Sequence, residues 1–304
     1  MRVPHRAAPR RGRAAPRRGR TTLRRGRATP RIRRVIAGGA LAVVAGGLWW
    51  SLAPTGSPVE LSPASAPAGP VLPGPIPPQP PIELAGWKLV IPLPGDKGDA
   101  ANISPAILLP PWLVAQPDGT LRFWAPVCGV ATPNSEHPRT ELDSLTNFAA
   151  GTSGPQSLSA TLAVSQVPEG DDIIIGQIHG ADDISSVPFV MLRYSEGELR
   201  VVVKDKQSGS ESEKIPLLSQ LPLGTWFDYS LTDNGDGTLT FAAGRIGDNR
   251  HVTVPIPEAF RGATVRFQAG DYQQGDPKPT PASCAGEGGL VTFAALRQTT
   301  LPRP

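Results

Sequence analysis

The fold of the chain is constrained most by a series of short apolar stretches that begins at Glu83. Gly, Asp, Asn and Pro residues separate these stretches. Apolar and polar residues alternate within these stretches, and no long segment has the period of an amphipathic helix. The segment Asn234-Gly235-Asp236-Gly237 is typical of a hairpin turn between two of them. About ten strands in some 220 residues indicate an all-β protein, either a two-sheet sandwich or a jelly roll. The pattern predicts strands at Thr120–Ala125, Ser157–Ser165, Ile173–His179, Phe189–Tyr194, Leu199–Lys204, Trp226–Leu231, Thr238–Ala243, Thr264–Gln274 and Leu290–Ala295.

Charge is distributed unevenly along the chain. Residues 1–34 contain 14 Arg and no acidic residue, in a tail with three Arg-Arg-Gly-Arg copies. When these 14 Arg are subtracted from the 30 basic residues of the chain, 16 remain against 26 acidic ones, so residues 35–304 carry a formal charge of −10. We expect the tail to be disordered. We expect no nucleic-acid partner for the rest of the chain, because an acidic body repels phosphate.

An uncharged apolar segment follows the tail. Val35–Ala53 is 19 residues long, and as a helix it would rise about 28 Å and just span a bilayer core. Arginines precede the segment and Trp49-Trp50 lie near its far end, which is typical of a membrane-spanning helix. We expect a signal-anchor that holds the domain on the extracellular face of the membrane. A cleaved signal peptide ending in Ser51 and Ala53 is the alternative, and the product would then be secreted.

The segment from Pro54 to Ile82 contains 11 Pro in 29 residues. This composition predicts an extended linker that reaches up to about 90 Å. The predicted organisation is a disordered basic tail, an anchor or signal segment, a Pro-rich linker and one folded domain, at residues 1–34, 35–53, 54–82 and 83–304 respectively.

The chain has two cysteines, Cys128 and Cys284. In an exported chain such a pair predicts a disulfide. It would close a loop of about 157 residues and stabilise the fold by at most about 5 kcal/mol. Only four His are present, and one of them lies in the tail, so we expect no metal site.

Three stretches place polar side chains on one face of a predicted strand. In Pro138–Leu142, the two-residue period puts Arg139 and Glu141 on the same face. In Ile175–His179, Gln177 and His179 point together while Ile178 points inward. Each pair alone has a structural explanation, an exposed ion pair in the first case and a structural histidine in the second. The third stretch, Arg266–Gln274, adds four residues on one face: Arg266, Gln268, Tyr272 and Gln274.

The strings PRTEL, QIH and RFQAGDYQQ in these stretches resemble the three signature strands of the alginate lyases of polysaccharide lyase family 7, in the same order. The resemblance extends over residues 85–299 and includes Gly86-Trp87-Lys88-Leu89 near its start. It implies a concanavalin A-like β-jelly roll and an acidic polysaccharide as the partner. We expect a monomer that needs no metal or organic cofactor.

The resemblance implies that Arg139, Gln177, His179 and Tyr272 form the catalytic set. In β-elimination the C5 proton of a 4-linked uronate is removed and the oxygen at C4 leaves. Arg139 and Gln177 would neutralise the adjacent carboxylate, and His179 and Tyr272 would serve as base and acid. Glu141 would orient Arg139. The residues expected to contact the substrate are Glu141, Arg266, Gln268, Gln274 and Lys204.

The third stretch departs from the family pattern, which usually has Tyr and Lys where this chain has Arg266 and Gln268. The exchange removes the cation at position 268 and places one at position 266, two residues away on the same face. With Arg139 and Lys204, Arg266 would make the cleft locally positive on an acidic body. The form QIH is associated in the family with guluronate-containing blocks.

Three other functions are compatible with parts of the sequence. Glu141-Leu142-Asp143 suggests a glycoside hydrolase of the laminarinase type, but Leu145 and Thr146 stand where its third carboxylate would be. A non-catalytic carbohydrate-binding module would use the same sandwich. A lyase for another polyuronate, such as glucuronan, would need the same residues.

Overall fold

The computed structural model describes residues 80–170, 172–209, 212–278, 284 and 286–300. The predicted basic tail, the segment Val35–Ala53 and the linker up to residue 79 lie outside the described residues. Within the described ranges, no helix has both the length and the apolar character that crossing a membrane requires. Two short 3₁₀ turns lie in this part of the chain, at Asp182–Ile184 and Glu258–Phe260.

The described part of the chain is built from fifteen β-strands. In chain order they are β1 (Trp87–Pro94), β2 (Ala100–Ile103), β3 (Leu113–Ala115), β4 (Leu121–Pro126), β5 (Thr140–Ala149), β6 (Gln156–Gln166), β7 (Asp172–Gly180), β8 (Pro188–Ser195), β9 (Glu198–Lys204), β10 (Ser212–Leu218), β11 (Phe227–Asp233), β12 (Thr238–Arg245), β13 (Asp248–Pro255), β14 (Thr264–Gln273) and β15 (Gly288–Thr300).

The strands form two antiparallel sheets that pack face to face. The first sheet has the order β10-β9-β8-β7-β14-β5-β1-β2, and the second has the order β13-β12-β11-β6-β15-β4-β3. Buried apolar side chains from both sheets form one core between them, which includes Phe123 and Phe293 of the second sheet with ring centroids 5.1 Å apart. The predicted all-β sandwich is therefore confirmed.

Each predicted strand overlaps an observed one, and the predicted turn at Asn234–Gly237 joins β11 to β12. Five strands were not predicted: β1, β2, β3, β10 and β13. β2 and β3 have four and three residues, too few to show a period. β1 and β10 contain Pro92 and Pro216, which disfavour a strand assignment. β13 lies at a sheet edge with mostly exposed side chains, and only Val252 and Val254 pack against the core, too few to show a period.

The predicted disulfide between Cys128 and Cys284 is present, with the two Cα atoms 5.8 Å apart. Cys128 follows β4 and Cys284 follows β14, and both cysteines are buried. The bridge thus ties together the chain segments that lie before Arg139 and after Tyr272.

β14 lies at the centre of the first sheet, between β5 and β7. Its pairing with β7 is irregular between Ala269 and Tyr272. Gly270 lies in this interval with φ +152°, and a Cβ there would be 2.5 Å from the carbonyl oxygen of Thr140. Only glycine fits this close approach of two backbones. Tyr272 lines the cleft on the outer face of the sheet, as Gln268 does four residues earlier, whereas Asp271 is buried.

Candidate active site

The outer face of the first sheet carries a cleft of about 430 Å³ above β1, β5, β14 and β7. Strand register sets its floor, because Gln268 pairs with both Gln177 and Asp143, and Asp143 pairs with Lys88. These four residues form one row across four strands. The three stretches selected from the sequence therefore meet on adjacent strands, although they are far apart in the chain.

Beneath the cleft lies a group that we call the inner cluster: Arg139, Glu141, Gln177 and Gln268. Glu141 is completely buried. One of its carboxylate oxygens accepts a hydrogen bond from Nη1 of Arg139 at 3.1 Å, and the other accepts one from Nε2 of Gln177 at 2.6 Å. Burial raises the pKa of Glu141 to about 7, against the opposing effects of Arg139 and Gln177. The predicted role of Glu141 in orienting Arg139 matches this geometry. A direct contact with substrate does not, because the side chain has no exposed surface.

The inner cluster leaves selected atoms without partners. Nε2 of Gln177 also donates to Oε1 of Gln268 at 2.9 Å, so both of its hydrogens are used. Oε1 of Gln177 and Nε of Arg139 are buried and have no hydrogen-bond partner among the described residues. Within this part of the chain, Arg139 therefore has an unpaired donor, which is buried, while the residue itself lines the cleft. Gln177 presents an acceptor, and acting as a donor to a carboxylate would require its amide group to turn and break both contacts.

A second group, which we call the rim cluster, consists of Lys88, Asp143 and Arg266. Oδ2 of Asp143 lies 3.1 Å from Nζ of Lys88 and 3.3 Å from Nη2 of Arg266. Asp143 is itself buried, and its Oδ1 has no hydrogen-bond partner in the described part of the chain. One carboxylate thus compensates two cations at this side of the cleft, which leaves the rim cluster with a net positive charge.

His179 lines the cleft from β7, beside Arg266 of β14. Its Nδ1 lies 3.0 Å from the carbonyl oxygen of Gly180. Since a carbonyl only accepts hydrogen bonds, Nδ1 carries the proton and Nε2 retains a lone pair. Burial lowers the pKa of His179 to about 4. The imidazole is therefore neutral at neutral pH and is chemically able to accept a proton.

Tyr272 lies at a different level of the cleft, where it pairs in register with Ile174. The guanidinium carbon of Arg139 lies 3.4 Å from the centroid of the Tyr272 ring. The phenol oxygen is 2.8 Å from Oγ of Ser135. Arg139 thus contacts both the buried Glu141 and the tyrosine ring. Along the strand direction, the pair formed by Gln177 and Gln268 lies between His179 and Tyr272.

The cleft is lined by the residues predicted from the sequence with two exceptions, Glu141, which is buried beneath it, and Lys204. Arg266, Gln268 and Gln274 line it. Lys204 does not, because it lies at the end of β9 and its ammonium group binds the carbonyl oxygen of Gly209. Lys88 supplies a cation to the cleft instead. The position of Lys88 depends on the pairing of β1 with β5, which no local pattern in the sequence reveals. Asp143 shares the parity of Arg139 and Glu141, so the two-residue period of β5 could have identified it.

Comparison with known proteins agrees with the fold and with the family that the sequence resembles. The family model described as alginate lyase matches residues 82–300. A comparison with curated proteins gives no significant match. An alginate lyase structure from Pseudomonas aeruginosa is 29% identical with a TM-score of 0.60, and the match covers 72% of this chain and 100% of that one.

Two further structures share the fold at lower identity. Alginate lyase A1-II′, a member of polysaccharide lyase family 7, is 24% identical with a TM-score of 0.61, over 72% of this chain and 96% of that one. The alginate lyase from Klebsiella pneumoniae is 20% identical with a TM-score of 0.61, over 73% and 98%. The family model covers well over half of the chain, and these structures reproduce its two-sheet jelly roll. The chain therefore belongs to the alginate lyase family of polysaccharide lyases.

Proposed function

We propose that this alginate lyase acts on guluronate-containing blocks, and that Arg139, His179 and Tyr272 carry out the elimination. The observation that carries the proposal is their convergence on one cleft, where, among the described residues, Nε of Arg139 has no partner and Nδ1 of His179 is bonded so that Nε2 keeps its lone pair. A carbohydrate-binding module would need neither a proton acceptor nor a phenol at such a place.

Arg139 is the group that we assign to the substrate carboxylate. The C5 proton of a uronate is very weakly acidic, because the adjacent carboxylate already carries a negative charge. A guanidinium beside that carboxylate stabilises the charge that develops as the proton leaves. Glu141 fixes the position of Arg139 through Nη1, and Arg139 lines the cleft where the substrate carboxylate would lie. In this assignment Gln177 holds Glu141 and Gln268 in place rather than donating to the carboxylate itself.

His179 is the base that we assign for guluronate. Its lone pair on Nε2 accepts the C5 proton, and the electrons of that C–H bond form the C4–C5 double bond. The bond between C4 and its glycosidic oxygen breaks, and Tyr272 donates a proton to the departing oxygen. One fragment gains a reducing end, and the other begins with an unsaturated uronate. The proton count balances when the proton on His179 leaves and one returns to Tyr272.

In mannuronate the C5 proton lies on the opposite face of the ring. Tyr272 approaches the oxygen at C4 in either epimer. In mannuronate, where the C5 proton lies on the side of that oxygen, a deprotonated Tyr272 would take the C5 proton and then give it to the leaving oxygen, so Tyr272 serves both substrates. His179 is needed as a base only where the proton faces it. We therefore expect activity on guluronate-containing polymer to depend on His179 more than activity on mannuronate.

The experiment that tests this proposal is incubation of the protein with guluronate-enriched alginate, mannuronate-enriched alginate and glucuronan. Formation of the C4–C5 double bond is followed by ultraviolet absorbance. We expect the highest kcat/KM on guluronate-enriched polymer. Faster cleavage of glucuronan than of either alginate would contradict the proposal, and binding of all three without absorbance would indicate a non-catalytic module.

We also propose that the domain acts outside the cytoplasm, held at the membrane by Val35–Ala53. The charge pattern of that segment supports the proposal, as does the disulfide, since disulfides persist in oxidising compartments. Fractionation of cells that make the full chain tests it. We expect the protein in the membrane fraction and accessible to added protease. A soluble secreted product beginning at Pro54 would contradict the anchor.

A further inference from the structure

Ser135 lies in the loop between β4 and β5 and makes three polar contacts through one oxygen. The backbone N–H of His137 donates to Oγ of Ser135 at 3.0 Å. Oγ lies 3.2 Å from the carbonyl oxygen of His137 and 2.8 Å from the phenol oxygen of Tyr272. A hydroxyl has one hydrogen to donate and two lone pairs. All three contacts are satisfied together when Tyr272 is protonated and donates to Ser135, while Ser135 donates to His137.

When Tyr272 has lost its proton, the same oxygen atoms suit a second arrangement. The Ser135 hydroxyl then donates to the phenolate oxygen of Tyr272, and it still accepts from the N–H of His137. Only the hydroxyl hydrogen rotates between the two arrangements. The contact with the carbonyl of His137 is given up, and a charge-assisted hydrogen bond replaces it.

The loop is fastened on both sides of this contact. Nδ1 of His137 donates to the carbonyl oxygen of Gly275 at 3.0 Å, and Nε2 of Gln273 donates to the carbonyl oxygen of Pro138 at 3.2 Å. The loop that carries Ser135 is thereby held to the end of β14, directly beyond Tyr272. The distance between the serine and phenol oxygens is therefore set by backbone contacts rather than by two mobile side chains.

We infer that Ser135 is a positioning residue that holds the Tyr272 hydroxyl at the leaving oxygen of the substrate and stabilises it in both protonation states. This inference rests on the proposed role of Tyr272 as the acid. In the elimination, Tyr272 gives its proton to the oxygen at C4 and acquires a negative charge in a cleft that already holds substrate carboxylates. The Ser135 hydroxyl supplies a hydrogen bond to that charge at the moment it forms.

The chain allows Tyr272 to be observed separately. It has three tyrosines. Tyr194 and Tyr229 are buried, and their hydroxyls donate to the carbonyl oxygens of Leu221 and Ile175. Burial raises the pKa of Tyr229 far above its ordinary value. The tyrosinate absorbance change that Tyr272→Phe lacks is the one that reports Tyr272.

The test compares Ser135→Ala, Ser135→Thr and the wild type, with Ser230→Ala on the outer face of the second sheet as the matched control. In Ser135→Ala we expect the tyrosinate transition that is absent from Tyr272→Phe to move up by about one pH unit relative to the wild type. We expect kcat on alginate to fall about tenfold with KM nearly unchanged. Ser135→Thr keeps a hydroxyl and should restore both quantities, and Ser230→Ala should alter neither.

The possible outcomes separate this inference from the proposed function. An unchanged tyrosinate transition in Ser135→Ala overturns the inference, and so does a loss of kcat that threonine fails to restore. A shifted transition in a protein that cleaves no polyuronate supports the contact between Ser135 and Tyr272 and contradicts the proposed function. Near-ultraviolet circular dichroism of each variant verifies that the tertiary packing is retained.

Discussion

Glu141 and Asp143 lie two residues apart on the same face of β5, yet their surroundings differ. Glu141, in the inner cluster, has one cation and one amide as partners and no exposed surface. Asp143, in the rim cluster, has two cations. The carboxylate of Glu141 fixes the position of Arg139, which we assign to the carboxylate of the reacting uronate. The carboxylate of Asp143 sets the net charge at the rim of the cleft, which an approaching polyanion meets. The comparison predicts that changes to the inner cluster lower kcat, whereas changes to the rim cluster alter KM and its dependence on salt.

Among the changes that test this comparison, replacement of His179 should lower kcat most. His179 is the assigned base, and it lies beside Arg266 of the rim cluster. We expect His179→Ala to lower kcat on guluronate-enriched alginate by about 10²–10⁴-fold, the usual contribution of a general base. The loss on mannuronate-enriched polymer should be much smaller. Kinetics on both polymers measure the ratio. Equal losses would assign His179 to binding rather than to proton transfer.

The pH dependence of the wild type tests the same assignment without mutation. A base must be unprotonated, and burial lowers the pKa of His179 to about 4. Activity on guluronate-enriched polymer should therefore persist as pH falls through 6.5 and be lost only near 4. The acidic limb of kcat/KM reports the free enzyme. A limb centred near 6.5 would show that the imidazole is not buried in the working enzyme.

Glu141→Gln is expected to have the next largest effect. A neutral amide at this position loses the charge that pairs with Arg139. Both oxygens of Glu141 accept hydrogen bonds, so the NH₂ group of the amide must face a donor, either Arg139 or Gln177. We expect kcat to fall about 10–100-fold, as for other residues that orient a catalytic group, with little change in KM. A Glu141→Gln enzyme with normal kcat and raised KM would reverse the comparison between the clusters.

The same variant also tests how Glu141 affects the pH dependence of the free energy of unfolding. The pKa of Glu141 is raised from 4.5 to about 7, so the folded state binds the proton more tightly than the unfolded state. This contribution to stability is fully present below about pH 4.5 and is lost as pH rises through about 7. The free energy of unfolding of the wild type, relative to Glu141→Gln, should therefore fall over this range. Denaturant titrations at several pH values measure it.

Asp143→Asn is expected to have the smallest effect and serves as the matched comparison for Glu141→Gln. Removal of this charge leaves Lys88 and Arg266 uncompensated, so the cleft becomes more positive. We expect KM for alginate to fall several-fold at low salt and the difference to vanish as salt screens it. The change in kcat should stay within about threefold. A salt-independent loss of kcat would place Asp143 among the groups that act on the reacting sugar.

The sequence was sufficient to predict the sandwich, the disulfide and most of the cleft, because these depend on local alternation and on three strings of residues. Arg139, Gln177, His179 and Tyr272 share one face because each string has the period of a strand. The roles within the set were less predictable. That Gln177 uses both hydrogens on Glu141 and Gln268 depends on how three strands pair.

Lys88 and Lys204 show where sequence reasoning fails. Both are cations within or near apolar strands, and nothing local distinguishes them. Pairing of β1 with β5 brings Lys88 to Asp143, whereas β9 lies three strands away from β14 and its Lys204 binds Gly209. Contacts between residues far apart in the chain decided both positions. Ser135 was missed for a similar reason, since its partner Tyr272 is 137 residues away.

The central claim is that Tyr272 donates the proton to the leaving oxygen in every productive cleavage. Tyr272→Phe keeps the ring on which Arg139 stacks and removes only the hydroxyl, so binding should be preserved. The decisive measurement is the rate of C4–C5 double-bond formation by this variant on guluronate-enriched and on mannuronate-enriched alginate, with affinity for each polymer measured in parallel. We expect bound polymer and a rate reduced by at least about 10³-fold on both. Turnover near the wild-type rate on either polymer would contradict the account.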